Sequence, residues 1–156
     1  MTRYFIDSSA LAKAFLQEAG TASVLSLLEG TEDKARLYAA LTPLEVRSAI
    51  RRKQYANELS EVEAAGALAN LSEEMRRTEQ MPLTQSVISI AEEVVDNFNL
   101  RAGDAMQLAA AIQYNELQAN AYLVLVACDE RLLAAAAAAN MTWWNPVTGR
   151  PLPELT

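Results

Sequence analysis

The sequence predicts a three-layer α/β domain with a mainly parallel central sheet, and three observations carry that expectation. Short apolar runs alternate with longer stretches of helical periodicity along the chain, the order expected of repeated βα units. Tyr122 to Ala127 is apolar without interruption, the pattern of a strand buried on both faces. Two acids, Asp7 and Asp129, follow apolar runs and precede helical ones, where a parallel sheet presents its carboxyl ends and gathers its ligands.

In chain order, Arg3 to Ile6 reads as a first strand, and from Ser8 the positions Ala10, Leu11, Ala14 and Phe15 recur on one helical face. Gly20-Thr21 closes that helix and opens another, with Val24, Leu25, Leu27 and Leu28 apolar up to Gly30; Thr31 to Lys34 is a loop. Arg36 to Leu41 suits strand or helix. Strand is preferred because Thr42-Pro43-Leu44-Glu45 starts a helix anew, with Thr42 as N-cap, Pro43 at the first helical position and Glu45 closing a capping box.

That helix should reach Tyr55 or Ala56, and Ser60-x-x-Glu63 opens another to about Arg77. Pro82 limits Glu79 to Leu83 to a brief edge strand, and Thr84 to Asn97 returns to helical spacing. Asn99 to Gly103 is a loop. Asp104 opens a helix with a small-residue face, Ala105, Leu108, Ala109 and Ile112, and Tyr122 to Ala127 is the clearest strand. Asp129 starts the helix holding the alanine run 134–139, and Met141 to Trp144 is a last short strand. Residues 1–145 make one domain; 146–156, with three prolines and a glycine, make an extended tail.

Composition narrows the chemistry. The chain has 156 residues, 51% hydrophobic and 21% charged, enough for one core. Its net charge of −7 opposes non-specific binding to nucleic acid or anionic membrane. Cys128 is the only cysteine, which excludes an internal disulfide and a cysteine-based zinc site. A reducing, cytoplasmic setting is expected, with no membrane insertion, because the longest apolar run is too short to cross a bilayer. Histidine is absent, so histidine bases, triads and histidine-held zinc are all excluded. Carboxylates and hydroxyls remain, and these suit magnesium or manganese.

Asp7, Glu45, Asp104 and Asp129 each admit an ordinary role at a helix start. Convergence is what separates a site from four caps. Two ionised carboxylates about 5 Å apart repel by about 3 kcal/mol at an effective dielectric near 20, whereas a helix N-terminus returns about 0.3–1 kcal/mol. A cluster needs a divalent cation or a proton. With a cation it can activate water against a phosphodiester.

Four segments, 4–13, 42–46, 100–109 and 127–132, occur in the order and spacing of the PIN-domain nucleases, and their set resembles that family. The short chain is similar to the VapC-type toxins of toxin–antitoxin pairs. The resemblance implies an α/β/α PIN-like fold and a Mg²⁺- or Mn²⁺-dependent endoribonuclease. Asp7 and Asp104 would be direct metal ligands, Glu45 a ligand or water-positioning group, Asp129 a ligand reached through water, and Ser9 a polar supporter. Glu130, a substitute for Asp129, would point elsewhere on its helix. The resemblance further implies an RNA substrate, an antitoxin partner and a homodimer.

Against the acidic total, Arg47, Arg51 and Arg101 are candidate RNA or partner contacts, with surface ion pairing the plain alternative. Trp143 and Trp144 suit base stacking or, more simply, packing at the edge of the core. Ser9 stands where a haloacid-dehalogenase phosphatase needs its second acid, a receiver domain leaves Glu45 and Asp104 unexplained, and no glycine follows the first strand until Gly20, against dinucleotide binding. The rival from another class is a non-catalytic PIN-like subunit that binds protein or RNA.

Overall fold

A computed structural model describes residues 1–153. Five strands, β1 (Thr2–Ile6), β2 (Arg36–Ala39), β3 (Glu79–Met81), β4 (Tyr122–Val126) and β5 (Thr142–Trp144), form one sheet in the order β3-β2-β1-β4-β5. Every pairing is parallel. The chain winds outward from β1 through β2 to β3, then crosses to β4 and β5 on the other side. The winding reverses at the β1–β4 boundary, and β1 and β4 pair along their full length from Thr2↔Tyr122 to Ile6↔Val126. Asp7 extends this ladder, donating its N–H to the Val126 carbonyl at 2.9 Å.

Alternation along the strands divides the core. Phe5, Leu37 and Leu125 face α5 (Gln85–Asn97), α6 (Ala102–Leu117) and α7 (Glu130–Ala138). Tyr4, Ile6, Tyr38, Val124 and Val126 face α1 (Ser8–Leu11), α2 (Thr21–Gly30), α3 (Thr42–Tyr55) and α4 (Glu61–Arg77). Three layers result. The small residues Ala105, Ala109 and Ala110 are wholly buried and let α6 lie close against the sheet.

Beneath the second layer, Arg36 of β2 is buried and makes a bidentate pair with Glu74 of α4, Nε to Oε1 at 2.7 Å and Nη2 to Oε2 at 3.0 Å. Tyr38 donates to the same Oε1 at 2.6 Å, while Arg36 Nη1 donates to the Leu28 and Thr31 carbonyls. Such a group is well satisfied as it stands and expensive to break.

Four sequence expectations need correction. The helix after Asp7 lasts only to Leu11 and tightens into a 3₁₀ turn over Ala12–Ala14 before an irregular segment reaches Gly20. Strand β2 stops at Ala39, and α6 already begins at Ala102. Thr42 does not cap α3: Leu41 holds that position without a side-chain bond, and the Thr42 hydroxyl is turned to Gln107 of α6. A tertiary partner has displaced the local cap.

The tail, read as having little structure of its own, has no helix or strand over 146–153, but it is fastened to the body. Trp144 Nε1 donates to the Arg150 carbonyl at 2.9 Å, and Leu152 packs on the Tyr4 face. Residues 154–156 lie outside the described part of the tail. Trp144 is buried and Trp143 half-buried against the opposite core, so both serve packing at the sheet edge.

Candidate active site

The end of β1 places Asp7 beside the end of β4, and burial governs its chemistry. Asp7 is 1% exposed and caps α1: its Oδ2 accepts the Ser9 N–H at 3.0 Å and also the Ser9 hydroxyl. With its proton directed to Asp7, the Ser9 oxygen accepts the Cys128 N–H at 3.1 Å from the loop after β4. Asp7 Oδ1 is buried with no hydrogen-bond partner. Burial pushes the Asp7 carboxyl up to about 6; the two Ser9 bonds oppose this, and the charges of Asp104 and Glu45 add to it.

Glu45 enters from the first turn of α3, where its Oε1 accepts a hydrogen bond from Gln107 Nε2 at 2.8 Å. A Cβ built on Gly103 would stand 3.1 Å from Glu45 Oε2, so the bare backbone there makes room for the acid. Asp104, in the first turn of α6, is half-buried and raised above the ordinary carboxylate range. Burial is the main cause, followed by Asp129 and Glu45, with Arg101 opposing them.

Asp129 caps α7, its Oδ1 accepting the Leu132 N–H at 2.9 Å. The capping role is therefore real at both Asp7 and Asp129, and it leaves each with a second oxygen. Glu130 is exposed at the first position of α7. Among the described residues, no three acids are grouped closely enough to form a metal cage by themselves. The four still act on one another: Asp7 responds to Asp104 and Glu45, and Asp104 responds to Asp129 and Glu45.

Two open clefts flank Asp129. One, about 450 Å³, is lined by Asn99, Arg101, Asp104, Glu130 and Arg131 besides Asp129. The other, about 630 Å³, runs past Ser9, Lys13, Arg52, Lys53 and Cys128. Burial pushes the Cys128 thiol up to about 11, so it stays protonated and unreactive. Lys13 and Lys53 share Glu18, and Lys53 also meets Glu58 at 3.0 Å.

Arg101 lines a cleft, whereas Arg47 and Arg51 are exposed on α3 and line neither; Arg51 bonds Gln54 instead. At about 100° per residue, Arg47 and Arg51 lie roughly 200° and 240° around α3 from Glu45, but Arg52 lies only roughly 20° away. Measuring from Glu45 identifies Arg52 and Lys53 from sequence. Gln107 also escapes the sequence reading; its only local signal is a polar residue one turn after Asp104 on a face of small and apolar residues.

Against this geometry, the PIN domain family profile matches residues 4–138. Ribonuclease VapC45 of Mycobacterium tuberculosis is 30% identical over 139 residues, covering 89% of this chain and 92% of that protein. FitAcB from Neisseria gonorrhoeae superposes with a TM-score of 0.69 at 16% identity, over 93% of this chain and 99% of its own. A toxin–antitoxin complex from Klebsiella pneumoniae gives a TM-score of 0.64 at 13% identity, over 92% of this chain and 97% of its own. The two structures share the fold; the first two similarities also follow the sequence.

Proposed function

We propose a reaction from the premise that the chain belongs to the PIN-domain family: it is a Mg²⁺- or Mn²⁺-dependent endoribonuclease acting as the toxin of a toxin–antitoxin pair. The single observation that carries the metal reading is Asp7 Oδ1, a carboxylate oxygen buried without a partner beside acids that raise its pKa. An oxygen so placed is costly unless a proton or a cation meets it. The donors are hard oxygens, which fit magnesium or manganese.

Asp7, Glu45 and Asp104 would hold the ion together with waters completing its shell, since these acids do not form a cage by themselves, and Asp129 would stand at the margin because α7 already takes one of its oxygens. What such an ion supplies is Lewis-acid chemistry, acidifying water and polarising a phosphate oxygen. Ser9 holds Asp7 by two donors on one oxygen and keeps the other turned away from itself. Glu45, held by Gln107, would serve as a ligand or position the attacking water. Lys13, Arg52, Lys53 and Arg101 line the clefts on either side of Asp129 and offer positive charge to RNA phosphates on a chain whose total is −7.

The toxin role rests on likeness to a ribonuclease named VapC45 and to a chain from a toxin–antitoxin complex. An antitoxin segment covering the clefts and a homodimer complete the proposal. A cytoplasmic setting is consistent with a free Cys128; among the described residues, no helix is long and apolar enough to cross a membrane.

The test uses protein purified free of any partner and a panel of tRNA, rRNA and mRNA. Cleavage with Mg²⁺ or Mn²⁺ that is lost with EDTA and with Asp7→Asn is expected. Cleavage that survives both overturns the metal mechanism, and no cleavage of any RNA returns the chain to the class of non-catalytic interaction subunits.

A further inference from the structure

Gln107 is 0% exposed, and it lies on α6 among buried Leu108, Ala109, Ala110 and Ala111. Leucine or methionine would fill such a place at no polar cost, whereas a buried amide must be hydrogen-bonded to be tolerated. Its bonds all go to α3. Nε2 donates to Glu45 Oε1 at 2.8 Å and to Thr42 Oγ1 at 3.0 Å, and the Thr42 hydroxyl also lies 3.3 Å from Gln107 Oε1.

The direction of the amide follows from charge. Reversing its ends would bring Oε1 against the Glu45 carboxylate, acceptor against acceptor, so the acid itself dictates that Nε2 faces it. Glu45 Oε2, the other oxygen, is confined on the side of Gly103, where a Cβ would stand 3.1 Å away. Gly103 and Gln107 lie one helical turn apart on α6, with Asp104 between them. One helix thus presents its own acid and fixes the carboxylate of another.

We infer that Gln107 is a positioning residue that holds Glu45 in the orientation the metal site requires, with Thr42 aligning the amide. This rests on the proposed metal-dependent reading. Gln107 touches neither water nor phosphate in this role and acts only through Glu45.

The experiment measures Mn²⁺ binding to the purified full chain, by the electron paramagnetic resonance signal of free Mn²⁺, alongside RNA cleavage and thermal melting. Gln107→Met keeps the volume and removes the donors. A ten- to hundredfold loss of Mn²⁺ affinity is expected. Thr42→Val should give a smaller loss in the same direction, restored by Thr42→Ser, and it serves if Gln107→Met does not fold. In a Glu45→Ala background, Gln107→Met should add no further loss, because its target is gone. Wild-type affinity in both Gln107→Met and Thr42→Val, or an undiminished loss in the Glu45→Ala background, overturns the inference alone. A wild-type chain that takes up no Mn²⁺ overturns the metal reading and the inference together.

Discussion

Ser9 donates both its amide and its hydroxyl to one oxygen of Asp7, and the other oxygen of that buried carboxylate has no partner. The site is therefore strained by charge in the absence of a ligand, and its stability and its activity oppose each other at this residue.

Asp7→Asn should stabilise the metal-free protein at pH 7.5. Asp7 titrates near 6 instead of 3.8, chiefly through burial, so between those values the folded chain binds more protons than the unfolded one and stability falls as pH rises. Above 6 the full effect is about 3 kcal/mol. A gain of about 1–2 kcal/mol is expected in urea unfolding once the new, unpaired amide is discounted. The gain should fade toward pH 4; a gain equal at pH 7.5 and pH 4 contradicts it.

Ser9→Ala removes a donor to the ionised form of Asp7, a bond to a charged group of the kind contributing about 1.5–3 kcal/mol. The acidic limb of the pH–rate profile should move to higher pH, and the Cys128 N–H loses its acceptor as well. Ser9→Thr retains the hydroxyl and should retain the wild-type profile.

Gly103→Ala separates folding from function. Within α6 alanine is favoured over glycine by up to about 1 kcal/mol, but its Cβ would crowd Glu45 Oε2 at 3.1 Å. Melting temperature should hold or rise while cleavage drops at least tenfold. Wild-type cleavage by this variant would mean Glu45 is not held where the structure has it.

Arg52→Ala should weaken RNA binding and flatten the dependence of log K on log salt by about 0.7, the value for one contact to single-stranded nucleic acid. Arg47→Ala and Arg51→Ala, on the far side of α3 from the cleft, should leave that slope unchanged. A fluorescence titration at several salt concentrations decides between the two faces.

Glu74→Ala should cost up to about 3–5 kcal/mol, because it removes the bidentate partner of the buried Arg36 guanidinium, which keeps only Asp33 and two carbonyls, and leaves the Tyr38 hydroxyl without its acceptor. Chemical unfolding measures it. At low temperature the folded fraction should still cleave RNA, since this network lies in β2 and α4, away from the acids.

The three layers and the parallel sheet of βα units were legible because local signals agreed: the Ser60–Glu63 capping box forms in full, and β3, before Pro82, is an edge strand. The acids were legible as candidates because strand ends are easy to locate. What escaped is long-range. Thr42-Pro43-Leu44-Glu45 satisfies a capping pattern completely, yet Gln107, distant in sequence, takes both polar side chains. The partnership of Arg36 and Glu74 has no local signature either, since each reads alone as a surface charge.

The full-length pairing of β1 with β4 has a consequence for synthesis. A ribosome delivers Asp7, Glu45 and Asp104 well before Val126, the residue that anchors the end of β1. Until β4 emerges, Asp7 lacks both the strand beside it and the Cys128 amide behind Ser9, so the nascent polypeptide carries its acids without a site. Folding proceeds as the chain grows from its N-terminus, but here the surroundings of Asp7 are complete only once β4 and the loop behind it have joined β1.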